Sequence, residues 1–215
     1  MEHSVTRDPI QVVGRLDEMG LKPDVLAAAV TEGCAIVRDC TLNDPAQLAG
    51  ILGWGKITRA FRDRHVPLGW TRKSVRSQAT TVSPDGRMSI VIAGGDENTG
   101  IGGDTAPTTK SAKGPATKDA VASNQRSFGE INSEFARAAE DAVHRTWILL
   151  YYIDEESEEI RVELSLPSYI QENGYVYEWR EQIVIPPISL SRPQPPSIEE
   201  QGDDEEIDVK RRVAN

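Results

Sequence analysis

The chain predicts an α+β fold, an antiparallel sheet of about five strands packed against N-terminal helices. Three observations carry that expectation. Apolar residues recur at helical spacing over residues 8–66. They alternate at period two in several runs between residues 70 and 190. Hairpin-length links join most of those runs, and this favours antiparallel neighbours. One domain over residues 1–190 follows, with a disordered acidic and proline-rich tail over 191–215.

The helical part divides at its start signals. Lys22-Pro-Asp24 opens one helix, with Val25, Leu26, Ala29, Val30 and Val37 on its apolar side. Asn43-Asp-Pro45 is a second start, because proline in a first turn loses no hydrogen bond. Leu48, Ile51, Leu52 and Phe61 form its stripe, which Gly50, Gly53 and Gly55 weaken. Pro67 and Gly69 end it.

The sheet part begins near Trp70. Gln78–Ser83, Pro84-Asp-Gly86 and Arg87–Ala93 read as a hairpin, since proline presets φ and glycine accepts positive φ. Ala116–Asn124 reads as a short helix with Val121 inward, and 126–144 as a polar insert. Thr146–Ile153 is a core strand. Ile160–Leu166 alternates with Ile160, Val162, Leu164 and Leu166 inward. Tyr175–Ile185 is the last strand, stopped by Pro186-Pro187.

The net charge of -10 excludes a surface that coats nucleic acid indiscriminately. The charge is nevertheless partitioned. Residues 56–126 hold 12 basic against 6 acidic side chains, whereas 127–215 hold 8 against 20. Cys34 and Cys40 have neither disulfide-framework nor zinc spacing, and His3, His65 and His144 are unpaired in sequence. No apolar run reaches the ~20 residues of a membrane span, and the N-terminus lacks an apolar signal region. These features predict a cytoplasmic protein with no membrane partner and no cofactor.

The segment Gly94–Lys118 concentrates glycines, hydroxyls, Lys110, Lys113 and Lys118, and the carboxylates Asp96, Glu97 and Asp104. A polar loop of this length inside a compact chain is usually functional or disordered. Gly100-Ile-Gly-Gly103 lacks the dinucleotide spacing, and Lys113-Gly114 lacks the P-loop spacing. Backbone amides and lysines there can still hold an anion.

Arg59, Arg62, Arg64, Arg72, Lys73, Arg76 and Arg87 form the densest basic run, with Trp54 and Trp70 nearby. Phosphate neutralisation with base stacking would use such a set. Candidate binding residues are therefore Arg72, Lys73, Arg76, Lys110, Lys113 and Lys118. Hard-oxygen metal chemistry would use Asp96 and Glu97 at a strand end with Glu163 on a neighbouring strand, although no metal-ligand motif is present. The closing run Ile207-Asp-Val209-Lys210-Arg211-Arg212 alternates apolar and polar residues and then turns basic. It suits a tethered partner-binding motif.

Taken in order, Gly69-Trp-Thr-Arg72, Val82-Ser-Pro-Asp-Gly-Arg87, Gly95-Asp-Glu-Asn-Thr-Gly100, Thr109-Lys110 with Lys113-Gly-Pro-Ala-Thr117, Asn124-Gln125, Thr146-Trp-Ile-Leu-Leu150, Glu163-Leu-Ser-Leu-Pro167 and Ile207–Arg212 make up a string. It resembles a family of bacterial hypothetical proteins. The resemblance spans most of 43–190 plus the last residues, and implies a link to mobile-element or defence genes. It implies no activity and no catalytic residues.

The leading expectation is a non-enzymatic accessory protein that docks onto a larger protein assembly through residues 207–213. The alternatives are a nucleic-acid or nucleotide binder using the basic 56–126 region, and a metal-dependent phosphodiesterase using Asp96, Glu97 and Glu163.

Overall fold

The computed structural model describes residues 3–129 and 144–190. The tail 191–215 and most of the 126–144 insert lie outside these residues, as do Ile207, Val209, Lys210, Arg211 and Arg212.

Three helices follow a short N-terminal strand. The Asp8 carboxylate caps α1 (Pro9–Glu18) by accepting from the Ile10 and Gln11 amides, with Pro9 in the first turn. Val12 and Leu16 are its buried residues. The second helix, α2 (Pro23–Arg38), buries Leu26, Ala29, Val30 and Cys34. The third, α3 (Leu48–His65), buries Ile57, Ala60 and Phe61. A short 3-10 turn over Val66–Leu68 follows, and Gly69 ends it at φ 93°.

Among the described residues, seven strands make one sheet. They are β1 (Ser4–Thr6), β2 (Thr71–Val75), β3 (Gln78–Val82), β4 (Met88–Gly94), β5 (Arg145–Asp154), β6 (Glu159–Ile170) and β7 (Val176–Ser189). A fourth helix, α4 (Pro115–Gly129), lies between β4 and β5 in the chain. The spatial order is β1-β7-β6-β5-β4-β3-β2.

This corrects the expected sheet of about five largely antiparallel strands. The sheet is mixed, because β4 pairs parallel with β5 and β1 pairs parallel with β7. The chain between β4 and β5 is long enough to carry a helix and return to the same end, which permits parallel pairing. The two unexpected strands are both at edges. β1 is only three residues long, and β2 opens with the exposed, charge-bearing Thr71-Arg-Lys-Ser74. Such segments carry little apolar alternation.

The two prolines expected to stop β7 lie inside it. The ladder pairs Val162 with Ile185 and Ile160 with Ile188, so Pro186 and Pro187 fall at a register shift. A bulge needs no ladder N–H from them.

Both sheet faces are covered. On one face Ile90, Ile92, Leu149, Val162, Leu164 and Ile183 pack against α1, α2 and α3. On the other, Val91, Ala93, Ile148, Leu150, Val176 and Trp179 form a second core with Ala106 from the 94–115 loop.

That loop is pinned throughout. The Asp96 carboxylate accepts from the Asn98 and Thr108 amides, at 3.1 and 3.0 Å. Trp179 Nε1 donates to the Pro107 carbonyl at 2.8 Å. The Lys110 amide donates to Gly94, and the Lys113 amide to Gly174. Ordering a long polar segment costs conformational entropy, and these bonds offset that cost.

A candidate ligand cleft at the ends of the parallel strands

The parallel pair places two carboxyl-terminal strand ends side by side, Ala93–Gly94 of β4 and Tyr151–Ile153 of β5. Crevices beyond the carboxyl ends of parallel strands are recurrent ligand sites, because the chain must depart there and leaves space. Here a cleft of about 910 Å³ opens at this point. It is large enough for a small organic ligand, which typically needs roughly 300–1,000 Å³.

One wall is apolar. The first turns of α3 supply Ala49, Ile51 and Trp54, and α2 supplies Val37. Ile51 is 59% exposed and Trp54 39% exposed, unusual values for large apolar side chains. Trp70 behaves differently. It is buried and meets Phe61 and His65 edge-on, at 6.0 and 5.4 Å between ring centroids. Of the two tryptophans beside the basic run, Trp70 is core and Trp54 faces the cleft.

The opposite wall is cationic. Lys110 and Lys113 come from the pinned loop, and Arg76 from the β2–β3 turn. That turn has positive φ at both Arg76 and Ser77, 46° and 66°. This is the twist a two-residue hairpin requires, normally supplied by Asn-Gly. Two bonds fasten the hairpin to α4. Gln78 Nε2 donates to Thr117 Oγ1 at 2.9 Å, and Arg76 pairs with Asp119 at 2.7 Å.

Lys113 is half-buried and makes no ion pair among the described residues. Its ammonium donates to Ser111 Oγ at 3.3 Å. Burial pushes its pKa down to about 8.

Tyr151 contributes the polar group at the strand end. The residue is 8% exposed and lines the cleft, yet its hydroxyl makes no hydrogen bond among the described residues. Burial pushes the phenol up to about 12, with the nearby Cys34 thiol adding to the shift. Tyr151 therefore stays neutral at physiological pH and has a donor to offer. Cys34 is likewise pushed up to about 12 by burial, which makes it an inert core thiol.

The six cationic residues singled out in the sequence separate in space. Arg76, Lys110 and Lys113 converge on the cleft. Arg72 and Lys73 lie on the edge strand β2, outside the lining. Lys118 Nζ donates to the Glu172 carbonyl at 2.7 Å.

The three carboxylates have structural partners or stand apart. Asp96 is spent on loop amides. Glu97 is exposed, and its carbonyl accepts from Arg161. Glu163 is fully buried on β6 and accepts from the Gly100 amide, Ser165 Oγ and Gln182 Nε2. Burial, opposed by those bonds, raises its pKa. Among the described residues no group of three His, Cys, Asp or Glu side chains is placed to hold a metal ion, and no helix is long and apolar enough to cross a membrane.

Tyr151 was not foreseen as a site residue. Its only sequence signal is position, at the carboxyl end of a core strand, and that end matters only once β5 is known to lie parallel to β4. Comparison with protein-family models, curated proteins and solved structures finds no match to this chain.

Proposed function

We propose that the protein binds a small anionic ligand with an apolar or aromatic body, of the nucleotide class, in the cleft beyond β4 and β5. One observation carries the reading. The Tyr151 hydroxyl, which has no partner among the described residues, meets a cationic wall and an exposed tryptophan in one cavity of ligand size. A ligand acceptor that takes this donor adds a hydrogen bond to binding. Lys110, Lys113 and Arg76 receive the phosphate or carboxylate, and Trp54 stacks on the base or other flat body.

The test is titration of the full chain with nucleoside mono- and diphosphates at low salt, followed by tryptophan fluorescence. Saturable binding is expected, weakening with salt. Lys110→Glu combined with Lys113→Glu should weaken it by about 100-fold or more, since charge-assisted bonds are worth about 1.5–3 kcal/mol each. Trp54→Ala should weaken it by about 1–3 kcal/mol. No binding at millimolar ligand, or binding that ignores both variants, would refute the reading.

A second reading keeps the chain as an accessory protein recruited by a larger assembly. It rests on the Ile207–Arg212 motif and on the resemblance that motif shares, and it is compatible with a ligand-binding cleft.

A further inference from the structure

We infer that Lys113 is a covalent carbonyl-capture site, at which an aldehyde or ketone carrying an anionic group forms a reversible imine inside the cleft. The inference rests on the ligand reading above and specifies the chemistry of the same site.

Three features of the structure support it. First, Lys113 lines a cavity large enough to admit a small molecule. Second, the ammonium lacks a carboxylate partner among the described residues, and its one hydrogen bond goes to the neutral Ser111 hydroxyl. An ion pair would hold the proton on nitrogen, whereas this setting does not. Burial brings the amine to about 8, so a sizeable fraction is neutral and nucleophilic near neutrality. Exposed lysines, near 10.4, are almost wholly protonated there. Third, the same cavity holds the other groups that the reaction needs. Lys110 and Arg76 can retain the substrate's anion. The Lys110 stem and the Tyr151 ring flank the same point on β4, since a Cβ built on Gly94 would lie 3.6 Å from Lys110 Cβ and 3.9 Å from Tyr151 Cζ. The Tyr151 hydroxyl is the neutral donor available to a carbonyl oxygen.

The step balances without an external reagent. The Nζ lone pair adds to the carbonyl carbon, and the oxygen takes a proton to give a carbinolamine. Loss of that hydroxyl as water, with loss of the second nitrogen proton, leaves the C=N bond. One water is released, and nothing is oxidised or reduced.

Pyridoxal 5′-phosphate is a suitable probe, an aromatic aldehyde with a phosphate. The full chain is incubated with less than one equivalent, reduced with borohydride and mapped by peptide mass spectrometry. The expected result is a label concentrated on Lys113, with Lys22, Lys56, Lys73 and Lys118 as internal controls. The yield should rise with pH through a midpoint near 8. Excess pyridoxine 5′-phosphate, which has no carbonyl, should suppress labelling. Lys113→Arg should lose the label while retaining the wild-type circular dichroism. A label spread evenly over the exposed lysines overturns the inference, as does a Lys113 label with a midpoint near 10. If pyridoxine 5′-phosphate binds but Lys113 is unlabelled, the carbonyl chemistry falls and the anion site stands. If the nucleotides and pyridoxine 5′-phosphate all fail to bind, both fall.

Discussion

Glu163 shows how far a single side chain can depart from its sequence reading. In the alternating run Ile160–Leu166 it occupies an outward position, where a carboxylate suggests solvent or a metal. The outward face is in fact covered by the 94–115 loop, and Glu163 holds that loop through the Gly100 amide at 2.9 Å. Its second oxygen accepts from Ser165 and from Gln182, and Gln182 in turn bonds His3 at 2.6 Å. Burial raises its pKa above the ordinary 4.5. The folded state thus holds the proton more tightly than the unfolded chain does. The stabilisation from that proton is fully present below 4.5 and is lost as pH rises through the higher folded value. Glu163→Gln keeps an acceptor for Gly100 and removes the titration. Measured by urea denaturation between pH 4 and 8, the unfolding free energy of wild type relative to Glu163→Gln should fall as pH rises. Glu163→Ala, which strands the Gly100 amide and Ser165, should cost about 2–4 kcal/mol at low pH. A difference between wild type and Glu163→Gln that stays constant, or that rises with pH, would disprove the assignment.

The packing of α2 against α3 turns on a glycine contact that no local pattern announces. A Cβ built on Gly33 would clash with the Ile57 side chain and lie 2.8 Å from the Ile57 backbone nitrogen, so the two helices meet backbone to side chain there. Gly55, on α3, has nothing within 4 Å of its Cβ position. The two glycines look alike in the sequence, yet opposite outcomes are expected on substitution. Gly33→Ala should destabilise by about 1–3 kcal/mol through overpacking. Gly55→Ala should stabilise by up to about 1 kcal/mol, because alanine loses less chain entropy in a helix. Thermal unfolding of both variants checks this, and equal shifts would mean that the close approach at Gly33 is absent. The prolines of β7 give the same lesson for strands. Composition marks Pro186-Pro187 as a stop, while pairing with β6 absorbs them in a bulge and continues to Ser189.

For the molecule as a whole, the described sheet and both cores end at Leu190, whose amide donates to the Glu158 carbonyl at 2.8 Å. Cleavage after residue 191 should therefore leave the melting temperature within a few degrees of wild type, since the described residues already form both cores before that point. The accessory reading predicts that the same truncation abolishes capture of a partner by the purified full chain. Cleft binding of nucleotides should survive it. A truncated chain that unfolds, or that retains the partner, would count against the division into a folded part and a docking motif.

Local patterns in the amino-acid order were enough to specify α2, the Pro84-Asp-Gly86 hairpin, the inward residues of β6 and the burial of Val121, whereas α3 starts only at Leu48, beyond the Asn43-Asp-Pro45 signal, and α4 runs on to Gly129. They suffice because caps, turns and periodicities act over a few residues. The parallel pairing of β4 with β5, the cover on the second face and the convergence of Trp54, Arg76, Lys110, Lys113 and Tyr151 belong to the tertiary structure. A strand alternates with period two whichever way its neighbour runs, so strand direction leaves no local mark. The cleft exists because two carboxyl ends lie together, and that is settled by hydrogen bonds between residues more than fifty positions apart, such as the one from the Gly95 amide to the Tyr151 carbonyl.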